Sequence, residues 1–135
     1  KGRAAVVCWG DPDKFEMMAY LKQAIQIAVP EFEMPTQTPV WARLLGHEQL
    51  EKELIAAGFS NVKVTNMTGR LEIESAGKFW NDFTSSAPPL EKLFEALGEE
   101  NTRRTGEVFV SLVKDKCKED VPCMTSEACI GIAEA

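Results

Sequence analysis

The chain has 135 residues, a formal net charge of −6 and 44% hydrophobic residues, which is typical of one soluble domain with its own core. The acidic balance, 21 Asp and Glu against 15 Lys and Arg, argues against a surface for nucleic acid or for anionic membranes. No apolar run is long enough to span a bilayer, and no stretch has the pattern of a secretory leader. We therefore predict a cytoplasmic protein that binds neither nucleic acid nor membrane.

The elements begin with a strand. The apolar run "AAVVCW" at residues 4–9 ends at Gly10, and a continuous apolar run is typical of a strand buried on both faces. Apolar residues at helical spacing then predict a helix over 15–28. Three prolines predict an extended loop over 30–40, and a short helical turn is expected to follow at 41–45.

The middle of the chain reads "LIAAGFSNVKV". Its apolar stripe predicts a helix over 50–57, which Gly58 would end in a left-handed conformation while Phe59 folds back on the last turn. An alternating strand follows from Val62. The alternation of apolar residues changes phase further on, which predicts a bulge or a break near Gly69.

The second half contains three apolar stripes at helical spacing, over 79–83, 90–97 and 108–113, and then a final strand in "EACIGIAEA". Both faces of that strand are apolar or small, so we expect a central strand that is covered on both sides. Two interior strands in a three-stranded sheet are inconsistent, because such a sheet has one interior position. Either further strands exist, or the chain dimerises through the edge of strand 4–9.

The stretches "GRAAVVCWGDP", "HEQLEKELIAAGFSNVKV" and "SEACIGIAEA", in this order, resemble the C-terminal half of a class I S-adenosylmethionine-dependent methyltransferase of the small-molecule type. The resemblance implies a partial Rossmann-like α/β sheet with helices on both faces, in which the last strand is antiparallel and lies between the other two. It also implies a single domain over 1–135, with helical lid insertions at about 13–45 and 75–118.

The cofactor motifs of that family are absent from this sequence. There is no G-x-G-x-G loop, whose glycines let the backbone approach the cofactor. Asp11 follows a strand, but that strand is not the one that carries the family's ribose-binding acid. S-adenosylmethionine is the family's cofactor, and we expect this chain alone to bind none; no catalytic or cofactor-binding residue is assigned.

A substrate pocket is predicted from five aromatic residues, because ligands in open α/β sheets lie beyond the carboxyl ends of the strands. The alternative for each is ordinary packing, since an aromatic stripe at helical spacing is often core. The predicted pocket residues are Trp9, Trp41, Phe79, Trp80 and Phe83.

Polar candidates are few. His47 is the only histidine, and we interpret it as a surface residue because no acidic partner lies near it in sequence. Cys8, Cys117, Cys123 and Cys129 lack a close C-x-x-C pair, which argues against a metal site. We expect four free thiols, although Cys117 and Cys123 flank a polar loop and could pair under oxidation.

The sequence is consistent with three functions. The first is the C-terminal substrate or lid part of a methyltransferase that is not catalytic as an isolated chain, its partner being an N-terminal methyltransferase half. The alternative is a non-catalytic homo-oligomeric remnant or interaction module, a homodimer paired through strand 4–9. The third is a small-molecule binding protein that uses Trp9, Trp41 and Trp80.

Overall fold

A computed structural model describes residues 2–35, 46–117 and 123–135. These ranges form a mixed α/β structure. Its elements, in chain order, are β1 (Arg3–Trp9), α1 (Glu16–Ala28), α2 (His47–Ala56), β2 (Ser60–Glu72), α3 (Ala76–Ser86), α4 (Glu91–Leu97), α5 (Glu99–Lys116) and β3 (Cys123–Glu134). Short 3-10 turns occupy Pro12–Lys14 and Pro88–Leu90. Among these described helices, none has both the length and the apolar composition needed to cross a membrane.

The three strands form one antiparallel sheet in the order β1-β3-β2. The register of β1 on β3 runs from Arg3 opposite Glu134 to Trp9 opposite Ala128. The last strand of the chain therefore lies between the first two, as the sequence predicts.

Helix α2 covers one face of this sheet. Leu50 and Leu54 of α2 are buried with Val64 of β2 and Cys129 of β3. Gly131 makes the close approach of α2 to β3 sterically feasible, since a Cβ atom at this glycine would lie 2.7 Å from Leu54 Cδ1. The core on this face thus depends on one small residue in the central strand.

The opposite face of β1 is exposed, which corrects the prediction that strand 4–9 is buried on both faces. Val7 is 65% exposed, and Ile132 of β3, which shares that face, is 49% exposed. The expectation that β3 is covered on both sides is therefore wrong at this end. The physical reason is that β1 is an edge strand whose alternate side chains lie on the face away from α2.

The helix-glycine-strand unit in the middle of the chain is confirmed. Gly58 has φ +88°, and its N–H donates to the Ile55 carbonyl at 3.0 Å. The Phe59 N–H donates to the Leu54 carbonyl at 3.2 Å, and the Phe59 ring packs on the α2 core. These bonds satisfy carbonyl groups that the end of a helix otherwise leaves unpaired.

Strand β2 continues through Gly69 rather than breaking there. Met67 and Leu71 are 56% and 57% exposed, so the second apolar alternation does not follow a buried face of the described structure. The next buried residue, Ile73, lies just beyond the strand.

The described residues pack as two compact units. The first contains residues 2–16, 46–70 and 125–135, and the second contains residues 17–35, 71–117 and 123–124. In the second unit, helices α3, α4 and α5 enclose a cluster of stacked and edge-on rings, made by Phe79, Trp80, Phe83, Phe94 and Phe109. The loop predicted over 30–40 and the turn at 41–45 fall in part or wholly outside the described residues.

Candidate functional site

A buried carboxylate organises the polar site of the first unit. Glu127 of β3 has a side chain only 6% exposed. One carboxylate oxygen accepts hydrogen bonds from the Asp11 N–H at 3.1 Å and from Asn66 Nδ2 at 3.2 Å. The other oxygen accepts from Lys14 Nζ at 3.0 Å. We call Asp11, Lys14, His47, Asn66 and Glu127 the Glu127 cluster.

The backbone at the end of β1 places three members of this cluster. The Gly10 N–H donates to the Glu127 carbonyl at 2.7 Å, which extends the ladder by one pair. A Cβ atom at Gly10 would lie 2.6 Å from Glu127 Cγ, so only glycine leaves room for this carboxylate. Asp11 then caps the 3-10 turn by accepting from the Asp13 N–H at 2.9 Å, and that turn directs Lys14 back to Glu127.

Asn66 of β2 connects the buried carboxylate to the histidine at the start of α2. Its Oδ1 atom lies 2.9 Å from His47 Nδ1. The same oxygen accepts a hydrogen bond from the Cys129 thiol at 3.6 Å. His47 is therefore attached to a chain of hydrogen bonds that leads through Asn66 to Glu127, and its partner was invisible in the local sequence.

The hydrogen bonds set the charge states of the cluster. The Asp11 backbone N–H and, after it, the Lys14 ammonium lower the pKa of Glu127 below its ordinary value, so this carboxylate is charged at neutral pH. Burial, and next the negative charge of Glu127, raise the pKa of the Cys129 thiol. Burial and the neighbouring Cys129 likewise raise the pKa of Cys8, which lies opposite Cys129 in the ladder. Both thiols are therefore neutral and poor nucleophiles.

The Glu127 cluster borders a cavity of about 390 Å³. Its other lining residues include Glu48 and Lys52 of α2. The volume is enough for a small organic ligand. Within the described ranges no three His, Cys, Asp or Glu side chains are placed to hold a metal ion.

Four of the five residues predicted from the sequence to line a substrate pocket lie within the described residues. Trp9 belongs to the first unit, is 42% exposed and stacks on Phe15 at 4.5 Å between ring centres. Phe79, Trp80 and Phe83 belong to the second unit, and their rings pack within its aromatic core. Trp41 lies outside the described residues. A pocket lined by this set stays a prediction.

Cys117 and Cys123, the two cysteines that flank the polar loop, lie within the described residues. Cys117 and Cys123 are free thiols, and the Cys117 thiol lies 3.6 Å from the Cys123 carbonyl oxygen. Lys116 Nζ donates to the same carbonyl at 3.0 Å. Their pairing under oxidation stays a prediction.

Sequence reasoning missed Glu127, Asn66 and Lys14 as site residues. One signal was available: Glu127 is a charged residue at the start of "EACIGIA", a stretch that is otherwise small or apolar, and a carboxylate there needs partners. The partners themselves left no local pattern, because Lys14 and Asn66 lie 113 and 61 positions away from Glu127.

Comparison of the sequence with known protein families and with curated proteins finds no match. The features of this chain that bear on its function are therefore its strand order and the Glu127 cluster.

Proposed function

We propose that this chain is the C-terminal substrate or lid part of a class I S-adenosylmethionine-dependent methyltransferase that acts on a small molecule. The observation that supports the proposal is the strand order β1-β3-β2 with an antiparallel last strand in the centre. This order is unusual for consecutive strands, because sequential strands tend to be neighbours. It is the arrangement that the family resemblance implies for the last three strands of that sheet.

The exposed face of the sheet is consistent with a missing half. Val7 and Ile132 are large apolar side chains exposed on one face, and such a face is suited to burial against further structure. In this proposal an N-terminal methyltransferase half, with the glycine-rich loop, supplies that structure and binds S-adenosylmethionine. The chain alone then binds no cofactor and transfers no methyl group.

The proposal includes the cytoplasm as the compartment of this protein. None of the four cysteines forms a disulfide among the described residues, and we infer from this a reducing cytoplasm.

A homodimeric remnant of the same fold is the second candidate. It is favoured by the position of β1 at the edge of the described strands. The outward Trp9 carbonyl accepts from the Gly46 N–H at 3.3 Å, and the outward groups of the preceding residues can pair with the β1 strand of a second copy. Such a pairing would place two three-stranded sheets side by side in one continuous sheet. This candidate needs no cofactor and no second polypeptide.

Isothermal titration of the 135-residue protein with S-adenosylmethionine and S-adenosylhomocysteine, after its mass is determined by light scattering, tests both candidates. We expect no binding heat. Micromolar binding would show that a cofactor site exists in this chain and would contradict the proposal. A monomer at high concentration would exclude the homodimer, whereas a stable dimer without cofactor binding would favour it.

The coding sequence upstream of Lys1 gives an independent test of the methyltransferase proposal. We expect it to encode a strand followed by a glycine-rich loop. An upstream sequence without that loop would leave the homodimeric remnant as the better explanation.

A further inference from the structure

The hydrogen-bond chain behind His47 has a fixed direction. At neutral pH the Glu127 carboxylate can only accept hydrogen bonds. The Asn66 group that lies 3.2 Å from it is therefore the Nδ2 donor. The amide is planar, so Asn66 Oδ1 is the group that lies 2.9 Å from His47 Nδ1. That oxygen is an acceptor, and His47 Nδ1 must carry the proton.

This direction determines which imidazole nitrogen is open. A neutral imidazole has one N–H donor and one bare nitrogen, and the partner of one nitrogen sets the state of the other. With Nδ1 protonated, Nε2 carries a lone pair. His47 is exposed and lines the cavity beside the Glu127 cluster, so this lone pair is accessible to a bound molecule.

The lining favours an uncharged ligand. The ionised groups at the cavity include carboxylates of Asp11, Glu48 and Glu127 and ammonium groups of Lys14 and Lys52. Lys14 is already held by Glu127 at 3.0 Å. Both signs are present in nearly equal number, so a ligand of either net charge meets like charges. An uncharged hydroxyl compound meets none and can donate to Nε2.

We propose that Glu127, acting through Asn66, holds His47 as the Nδ1–H tautomer, and that its Nε2 atom accepts a hydrogen bond from the hydroxyl group of a small uncharged ligand in the cavity. Glu127 and Asn66 are positioning residues in this site, and His47 is the residue that touches the ligand. The inference goes beyond the proposed function, because it needs neither a cofactor nor a methyl acceptor.

Nitrogen-15 NMR of the imidazole tests the first part directly, since the chain has one histidine and its ring signals need no assignment to position. At about pH 8, where an ordinary imidazole is neutral, we expect the wild-type protein to carry its proton on Nδ1. Free neutral histidine prefers the Nε2–H form. Wild-type protein in the Nε2–H form would overturn the proposal without any variant.

Two variants test the hydrogen-bond chain from Glu127 through Asn66 to His47. Asn66→Ala removes the acceptor, and we expect the ring to return to the Nε2–H form. Glu127→Gln supplies a donor as well as an acceptor, so the Asn66 amide can rotate by 180°. Both imidazole tautomers, Nδ1–H and Nε2–H, should then be populated. Asn101→Ala, which removes an amide on α5 that lies 3.5 Å from Arg104, is the control and should leave the tautomer unchanged. A folded Glu127→Gln protein with the wild-type tautomer would show that Glu127 does not determine the tautomer of His47.

Resorcinol, a small neutral compound with two hydroxyl groups, probes the ligand class. We expect it to shift the Nε2 resonance, whereas 1,3-dimethoxybenzene, which has the same ring and no O–H donor, should not. Calorimetry should show about three- to tenfold weaker resorcinol binding by His47→Ala, the loss expected for one hydrogen bond. An Nε2 resonance that resorcinol leaves unmoved, or equal shifts with both compounds, would overturn the assignment of this cavity to hydroxyl donors.

Discussion

Gly10 is the residue on which the position of the Glu127 carboxylate depends. Its Cα faces the Glu127 side chain so closely that an added methyl group would lie 2.6 Å from Cγ and 2.7 Å from Oε1. Both atoms belong to a side chain fixed by three hydrogen bonds. The side chain cannot move away without breaking them.

We therefore predict that Gly10→Ala lowers the free energy of unfolding by about 1–3 kcal/mol, the usual cost of overpacking. The measurement is urea denaturation followed by circular dichroism. Gly77→Ala is the matched control, because a Cβ atom there meets no atom within 4 Å and the residue lies in helix α3. We expect that variant to gain about 0.5–1 kcal/mol. Equal stability of the two variants would contradict the close packing at Gly10.

The ionisation of Glu127 gives a pH dependence with a definite sign. The Asp11 N–H and the Lys14 ammonium lower its pKa in the folded protein from 4.5. The unfolded chain therefore binds the proton more readily, and the contribution of Glu127 to stability is full above about pH 4.5. It decreases as the pH falls through the lower folded pKa.

We expect wild-type protein to lose more stability between pH 7 and pH 3 than Glu127→Gln loses, with denaturation midpoints as the readout. A second variant, Glu107→Gln, changes an exposed carboxylate of α5 and should retain most of the wild-type pH dependence. Parallel pH profiles for wild type and Glu127→Gln would show that this carboxylate does not titrate as the hydrogen bonds require.

At the level of elements, helix α5 buries a hydroxyl group that has no partner among the described residues. Thr105 is fully buried, and its Oγ1 atom makes no hydrogen bond there. An unpaired buried hydroxyl costs about 1–3 kcal/mol of desolvation. The neighbouring Gly106 leaves room for the Trp80 indole, because a Cβ atom at Gly106 would lie 2.5 Å from the indole Nε1. Helix α5 therefore packs tightly against α3 around Thr105.

Thr105→Val removes the unpaired group while nearly conserving shape, and we predict that it raises the free energy of unfolding by about 1–2 kcal/mol. Thermal and urea denaturation measure the gain. Thr84→Val makes the same change in α3, where the hydroxyl donates to the Trp80 carbonyl at 3.0 Å; it should change stability by less than about 0.5 kcal/mol. A loss of stability in Thr105→Val would indicate that its hydroxyl has a partner, such as a bound water molecule.

Elements with a local signal were the ones that the sequence predicted well. The helix before Gly58 follows from side-chain spacing and from a glycine that adopts positive φ, both of which are encoded within a few residues. Burial of β1 was not predictable in the same way, because an apolar run does not reveal whether both of its faces are covered. Val7 lies in such a run and is 65% exposed.

The candidate site depended on pairings that no local pattern encodes. Glu127 meets Lys14 and Asn66 only after β3 has entered between β1 and β2. The central position of β3 was predictable from its apolar faces and from the family resemblance, but the register that sets Glu127 beside Asp11 was not.

At the level of the whole molecule, the outer edge of β1, which pairs with no other strand among the described residues, is the feature that most affects assembly. The Gly10 N–H donates to the Glu127 carbonyl, and the Ala135 N–H donates to the Gly2 carbonyl. Hydrogen-bonded pairs alternate along an antiparallel ladder, so the even residues of β1 bond to β3. The N–H groups of the odd residues, including Ala5, therefore point away from the sheet.

Ala5→Pro removes one of these outward N–H groups without removing a bond to β3, and proline is tolerated at a strand edge. If the protein dimerises through β1, we expect this variant to be monomeric by light scattering, with circular dichroism unchanged. Ala5→Ser keeps the N–H group and should still dimerise. A folded Ala5→Pro protein that dimerises as the wild type does would place the dimer contact elsewhere.

The central position of β3 also determines when the sheet can form. This strand spans Cys123–Glu134 and is the last element of the chain, yet β1 and β2 are its neighbours and not each other's. Within the described sheet, β1 and β2 can therefore be joined only after β3 has been synthesised, and long-range pairing of this kind folds slowly. Until then β1 lacks its neighbouring strand β3, and unpaired apolar strands of this kind are prone to aggregate. A chain that stops before Cys123 would lack the strand that joins β1 to β2.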